Sequence, residues 1–202
     1  MKGAINISDY FYGAKTLFII PLYQRRYAWQ QKHCVRLSED LIKIHKEGLL
    51  SHFFGSIVAT KASEVEDDLL IIDGQQRITT LSLLILAALN AVANGDMQTG
   101  NEDIEEVKKN YLYAIRRRID RQIKLRPIEG DMEAYDALFT NNSDDFIKNT
   151  GITSNYELFY QLIQVSDLTF ENLIGAIEKL EVIDIRLESK DNPQLIFESL
   201  NS

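Results

Sequence analysis

The sequence holds one cysteine, Cys34, and three histidines, His33, His45 and His52. A lone thiol cannot close an internal disulfide, so a reducing cytoplasm is the expected setting. The histidines have no metal-ligand spacing among themselves and read as ordinary surface or core residues. Long apolar runs are missing too. The longest, after Ile78, is broken by Ser82 and has the length of a core helix, and Met1 to Asn6 lacks the apolar region of a signal peptide, so no membrane association is expected. No Gly-x-x-x-x-Gly-Lys-Ser/Thr loop is present, which excludes a P-loop enzyme, and no Gly-x-Gly-x-x-Gly follows a strand, which leaves a dinucleotide fold unsupported. Positive charge is scarce: the formal net charge is -8, which argues against a chain that coats nucleic acid non-specifically, since that affinity grows with the number of phosphates neutralised.

What is present suffices for one good core, alone or with a helical annex: 202 residues, 45% of them hydrophobic. The stretch from Leu69 to Leu89 organises it. Leu69 to Ile72 is an apolar run of strand length, whereas Ile78, Leu81, Leu84, Ile85, Ala88, Leu89 and Val92 recur at helical spacing. A strand therefore hands over to a helix at Asp73-Gly74, where the first helical turn leaves its amide hydrogens unpaired and forms a ready anion site. Gln75, Gln76 and Arg77 crowd that turn. Arg77 offers a planar donor set suited to phosphate, and the glutamines can donate and accept toward a ribose, a base edge or a water. A purely structural alternative has Asp73 capping the helix and Arg77 pairing with it across one turn.

A second polar cluster, Gln24, Arg25 and Arg26, lies among Tyr23, Tyr27 and Trp29 directly after a short strand, Leu17 to Ile20, that Pro21 ends. Rings beside guanidinium groups can stack on a base or on the guanidinium itself. Between Lys108 and Arg126 stand eight basic residues, Arg116, Arg117, Arg118, Arg121 and Lys124 among them, against the single acid Asp120. They form either a DNA contact or the solvated face of a helix neutralised by Glu102, Asp103, Glu105 and Glu106.

In chain order, Ile7 to Tyr12 reads as an opening turn or helix, Gln31 to Glu47 as a helix ended by Gly48, and His52 to Lys61 as a β segment. Glu64 to Asp68 is then a hairpin loop into the Leu69 strand. These make an α/β core over residues 1–95. Residues 96–202 read as a mainly helical extension, with helices expected over Glu102–Ile119, Met132–Phe139, Asn155–Val165 and Phe170–Leu180. A returning strand is expected near 180–187, and a last helix starts at Pro193 and stops uncapped, as in a chain cut from a longer one.

Four blocks in order, Ile20-Pro21-Leu22-Tyr23-Gln24-Arg25-Arg26-Tyr27-Ala28-Trp29, Phe53-Phe54-Gly55-Ser56-Ile57, Ile72-Asp73-Gly74-Gln75-Gln76-Arg77-Ile78-Thr79-Thr80-Leu81 and Phe197-Glu198-Ser199-Leu200-Asn201-Ser202, resemble the N-terminal domain of GmrSD-type restriction endonucleases. The resemblance implies a mixed α/β (α+β) fold with a ParB/sulfiredoxin-like core and a helical extension. It implies a nucleotide-binding, NTP-hydrolysing subunit, with Mg²⁺, of a system that restricts modified phage DNA, and a C-terminal HNH-like nuclease domain as partner. Carried over by residue, Asp73, Gly74, Gln75, Gln76 and Arg77 form the phosphate corner, faced by Gln24 and Arg25. By their own chemistry Asp73 orients Arg77 or holds a divalent ion and one of the two glutamines positions a water, while Thr79 and Thr80 either add hydroxyl contacts or back-bond to the preceding helical turn; Tyr23, Tyr27, Glu198 and Asn201 are candidates to close the pocket. The residues themselves leave a non-catalytic nucleotide or DNA sensor open as the alternative.

Overall fold

The computed structural model describes residues 3–12, 15–63, 67–116, 119–188, 191 and 193–200. Strand β1 (Ala4–Asn6) leads into a short helix α1 (Ile7–Phe11), then β2 (Phe18–Ile19), helix α2 (Gln31–Glu47), β3 (His52–Lys61), β4 (Leu69–Asp73) and helix α3 (Gln75–Ala93). The second half contributes α4 (Ile104–Val107), a π turn at Lys108–Leu112, strands β5 (Tyr113–Arg116), β6 (Ile119–Ile123) and β7 (Leu125–Arg126), and helices α5 (Glu129–Ala137), α6 (Gly151–Gln164) and α7 (Phe170–Ile177). Strand β8 (Leu180–Arg186) and helix α8 (Pro193–Leu200) complete it.

Six strands form one mixed sheet in the order β1-β8-β3-β4-β2-β7. β3 runs antiparallel to β4 and parallel to β8, and β2 runs parallel to both β4 and β7. The expected returning strand is thus β8, and it lies between β1 and β3 rather than at an edge. Strands from both 1–95 and 96–202 enter this sheet, and one apolar cluster takes residues from Ile7 to Val182.

Helix α3 is the organising element because it is buried all round. Every residue from Ile78 to Ala91 is buried, which suits a helix apolar on every face. It has the length and hydropathy to cross a membrane, yet it lies in the protein's centre, packed against α6 and touching α7. Each such Leu or Ile removed from water stabilises the fold by roughly 1.5–3 kcal/mol. Helix α2 shows the opposite pattern, with Cys34, Leu37, Leu41 and Ile44 buried on one stripe against α6 and α7.

The helix expected over Glu102–Ile119 is formed only as far as Leu112. Asp103 Oδ1 accepts from Glu105 N (2.9 Å) and Glu106 N (3.1 Å) and starts α4, but the chain leaves helix at Leu112. It then folds as a β5–β6 hairpin with Tyr113 opposite Ile123 and Arg116 opposite Ile119. Aromatic and β-branched residues at Tyr113, Ile115, Ile119 and Ile123 favour strand, and that preference ends the helix short of the expected Ile119.

Candidate functional site

β4 ends at Asp73, opposite Val58 of β3, and α3 begins two residues later. Gly74 makes the turn with φ +90°, a conformation side chains resist, and a Cβ there would lie 2.9 Å from the Ser56 carbonyl oxygen. Gly74 is the N-cap of α3, and no side chain caps the helix. The structural alternative in which Asp73 caps the helix is therefore not what forms: Asp73 precedes the cap position, still within the strand. Nor does Arg77 form the ion pair with Asp73 that this alternative requires, among the described contacts. Its Nη1 donates to Ser56 O at 3.2 Å, and its guanidinium lies across Gly55, where an added Cβ would sit 2.8 Å from Cζ. Gly55 has φ +131° and falls where β3 shifts register against β8, so a bulge and a missing side chain together make the bed for Arg77.

Gln24 reaches the same strand end. Its side chain is only 5% exposed, and Nε2 donates to Ile72 O at 2.6 Å, which turns its oxygen away, buried and without a partner among the described residues. Arg25 beside it is exposed, with no protein partner among the described residues. Tyr23 is partly exposed, and burial raises its phenol from the ordinary value.

The next residues are held by three helices. Gln76 Oε1 accepts from Ala28 N (2.8 Å) and Trp29 N (3.1 Å), while its Nε2 donates to Arg26 O (3.3 Å). From α6, Asn155 Nδ2 donates to Trp29 O (2.7 Å) and to the Tyr27 hydroxyl (3.1 Å). From α5, Asp131 Oδ2 accepts from Tyr27 N at 2.6 Å. The Tyr27 hydroxyl also meets Thr80 Oγ1 at 2.6 Å, and burial pushes this phenol well above its ordinary range. Thr80 is fully buried in that contact, so it serves the Tyr27 loop and offers no free hydroxyl to a ligand.

The two glutamines thereby separate. Gln76 spends its amide on backbone, whereas Gln75, 6% exposed, makes no hydrogen bond among the described contacts. Gln75 and Thr79, one turn apart, line a cavity of about 10 Å³ closed by Ile20, Pro127, Ile128 and Asp131. Motif and spacing single out neither Asn155 nor Asp131. Asn155 does carry a signal, being an amide on the apolar stripe Ile152, Tyr156, Phe159 and Ile163 of α6, where a buried polar group needs a partner. Asp131 carries none.

The remaining candidates are scattered. Lys124 is corrected as a DNA contact: it is fully buried, its Nζ donates to Phe11 O (2.9 Å) and Asn110 O (2.5 Å), and burial lowers its pKa to about 8. Arg121 is exposed but lies 2.7 Å from Glu105 and over the Tyr113 ring. Hydrogen bonds from Lys108 and Arg121 hold the Glu105 carboxyl below its usual range. Glu198, on α8, is exposed and accepts from Gln194 at 3.2 Å, while α8 itself lies against β4. Arg117, Arg118 and Asn201, with the side chain of Arg116, lie outside the described residues. Among the described residues no group of three or more His, Cys, Asp or Glu side chains could hold a metal, and Asp73 is the carboxylate at the corner.

The sheet and its strand-to-helix corner define an α+β domain whose polar residues gather where a central strand ends. The chain belongs to the family described as the GmrSD restriction endonuclease N-terminal domain, whose model matches residues 7–202. It is thus a domain associated with restriction endonucleases. No curated protein matches the chain significantly.

Proposed function

We propose that this domain binds a nucleoside triphosphate at the Asp73–Arg77 corner and hydrolyses it, regulating a nuclease that acts on modified DNA. The observation that carries the reading is the start of α3, where Gly74 caps with no side chain and Arg77 lies fixed beside it on Ser56 O. An N-terminus left uncapped presents amide hydrogens and a positive dipole end to an anion, and an adjacent guanidinium adds a fixed charge. Arg25, exposed next to Gln24 and unpaired among the described residues, would supply a second cation. Asp73, the carboxylate at the corner, would hold Mg²⁺ together with the triphosphate, since such ions take one or two carboxylates and keep their waters, and the ion would neutralise charge on the phosphates. The HNH-like nuclease domain and the modified DNA are partners proposed from the family.

Phosphate release by the purified protein, measured with and without Mg²⁺ and DNA, tests this reading. Turnover that Gly74 or Arg77 variants abolish supports it. Triphosphate binding without release would make the domain a sensor, and neither binding nor release would end the proposal. The buried Lys124 and the paired Arg121 weaken the alternative in which residues 108–126 form a basic DNA surface.

A further inference from the structure

The cavity beside Gln75 has about the volume of one water, some 10 Å³, and lies at the first residue of the helix whose N-terminus takes phosphate in the proposed function. Five of its lining residues carry polar side chains; those of Tyr27 and Gln76 are engaged with Thr80, Asn155 and the 26–29 backbone, which leaves Gln75, Thr79 and Asp131 as the polar residues available to it. Water in so small a space needs two to four polar partners, and the lining supplies three residues of that kind. Asp131 presents one oxygen, Oδ2, to Tyr27 N at 2.6 Å, which leaves Oδ1 without a hydrogen bond among the described contacts. Its backbone is fixed by the first turn of α5, with Asp131 N donating to Ile128 O at 2.9 Å, so the carboxyl is held from both ends.

We propose that this cavity holds the hydrolytic water, with Gln75 orienting it and Asp131 as the base that takes its proton. The inference rests on the triphosphate reading above. In the step, the water oxygen bonds to the γ-phosphorus as the bond from that phosphorus to the β–γ bridging oxygen breaks. The nucleoside diphosphate leaves with the electron pair, and the water proton passes to Asp131 Oδ1 and then to solvent, giving diphosphate, inorganic phosphate and one proton. Gln76, equally close in sequence, takes no part.

Asp131→Asn tests this, because the amide keeps an acceptor for Tyr27 N and nearly the same volume but cannot take a proton. With MgATP as probe, kcat should fall at least about a hundredfold, in the range typical of a missing general base. Nucleotide affinity and melting temperature should stay at wild-type values, and Gln75→Leu should likewise lower kcat while leaving affinity unchanged. An Asp131→Asn protein with wild-type kcat overturns the inference and leaves the hydrolysis reading standing. Loss of affinity and early melting in step with kcat assigns Asp131 to the Tyr27 contact alone and also overturns it. A wild-type protein that releases no phosphate ends both. Should the variant not fold, a crystal structure of the unmodified protein decides: a water bonded to Gln75 and Asp131 is expected, and a cavity filled by a side chain excludes it.

Discussion

Three adjacent polar residues at the mouth of α3 have three different tasks. Gln76 faces the protein and holds the backbone of residues 26–29; Gln75 faces a cavity; Arg77 lies over Gly55. Their substitutions should therefore separate cleanly. Gln76→Ala removes the acceptor of Ala28 N and Trp29 N, a loss of about 1–3 kcal/mol. At roughly 2–4 °C per kcal/mol for a protein of this size, thermal unfolding should begin several degrees earlier. An unchanged melting curve would remove Gln76 from its structural role. Arg77→Ala leaves the helix held by Leu81, Leu84, Ile85 and Leu89, all buried, so the fold should survive. It deletes a charge-assisted phosphate contact of ~1.5–3 kcal/mol, or about tenfold to a hundredfold in triphosphate affinity by titration. A variant that melts early but binds normally would make Arg77 structural. The sequence marks all three as unusual but cannot divide them, because the partner of Gln76 lies about fifty positions away and only folding brings it near.

Elements with one dominant signal were legible, and those with competing signals were not. Helix α2 and strand β3 fall where periodicity and Gly48 placed them, and β4 and α3 meet at Asp73-Gly74 as the change of period required. Residues 102–123 begin as helix but carry β-branched and aromatic residues from Tyr113 on; pairing of the two strands decided the outcome, and local spacing could not show it. The corner itself is testable. Gly74→Ala must hold a side chain at φ +90° with its Cβ against Ser56 O, and strain of this kind costs on the order of 1–3 kcal/mol. Calorimetry should record a lower melting temperature together with weakened triphosphate binding, and a variant as stable as the wild type would show that the turn tolerates a side chain. For the basic stretch 108–126, replacing Arg117, Arg118 and Arg121 together tests any role in DNA binding. An unchanged slope of log affinity against log salt, the outcome that the buried Lys124 and paired Arg121 favour, assigns these residues to solvation, whereas a slope smaller by roughly one unit per lost phosphate contact would make them a DNA surface.

At the scale of the whole molecule, Lys124 joins parts that are distant in sequence. Its Nζ bonds carbonyls of α1 and the π turn, Lys124 N donates to Leu112 O, and Lys124 O accepts from Phe18 N of β2. A fully buried ammonium on neutral carbonyls is costly to keep charged, and its pKa falls from 10.5 to about 8. Between those values the unfolded chain still holds a proton that the folded chain has released, so Lys124 makes stability rise with pH from about 8 to 10.5. Cys34 acts in the opposite sense, since burial raises its thiol from 9.0 to about 11, and the unfolded chain loses that proton first. Its contribution is therefore complete below pH 9 and declines as pH climbs toward 11. Of the two groups, only Lys124 acts between pH 8 and 9. Wild type should gain stability there relative to Lys124→Met, with a total difference of up to ~3 kcal/mol developing by pH 10.5, on the conversion of 1.36 kcal/mol per pKa unit. Chemical denaturation of both proteins across pH 7 to 10.5 measures it. Parallel curves would mean that Lys124 remains charged in the fold, in which case its two carbonyl contacts stabilise the ammonium more than burial opposes it.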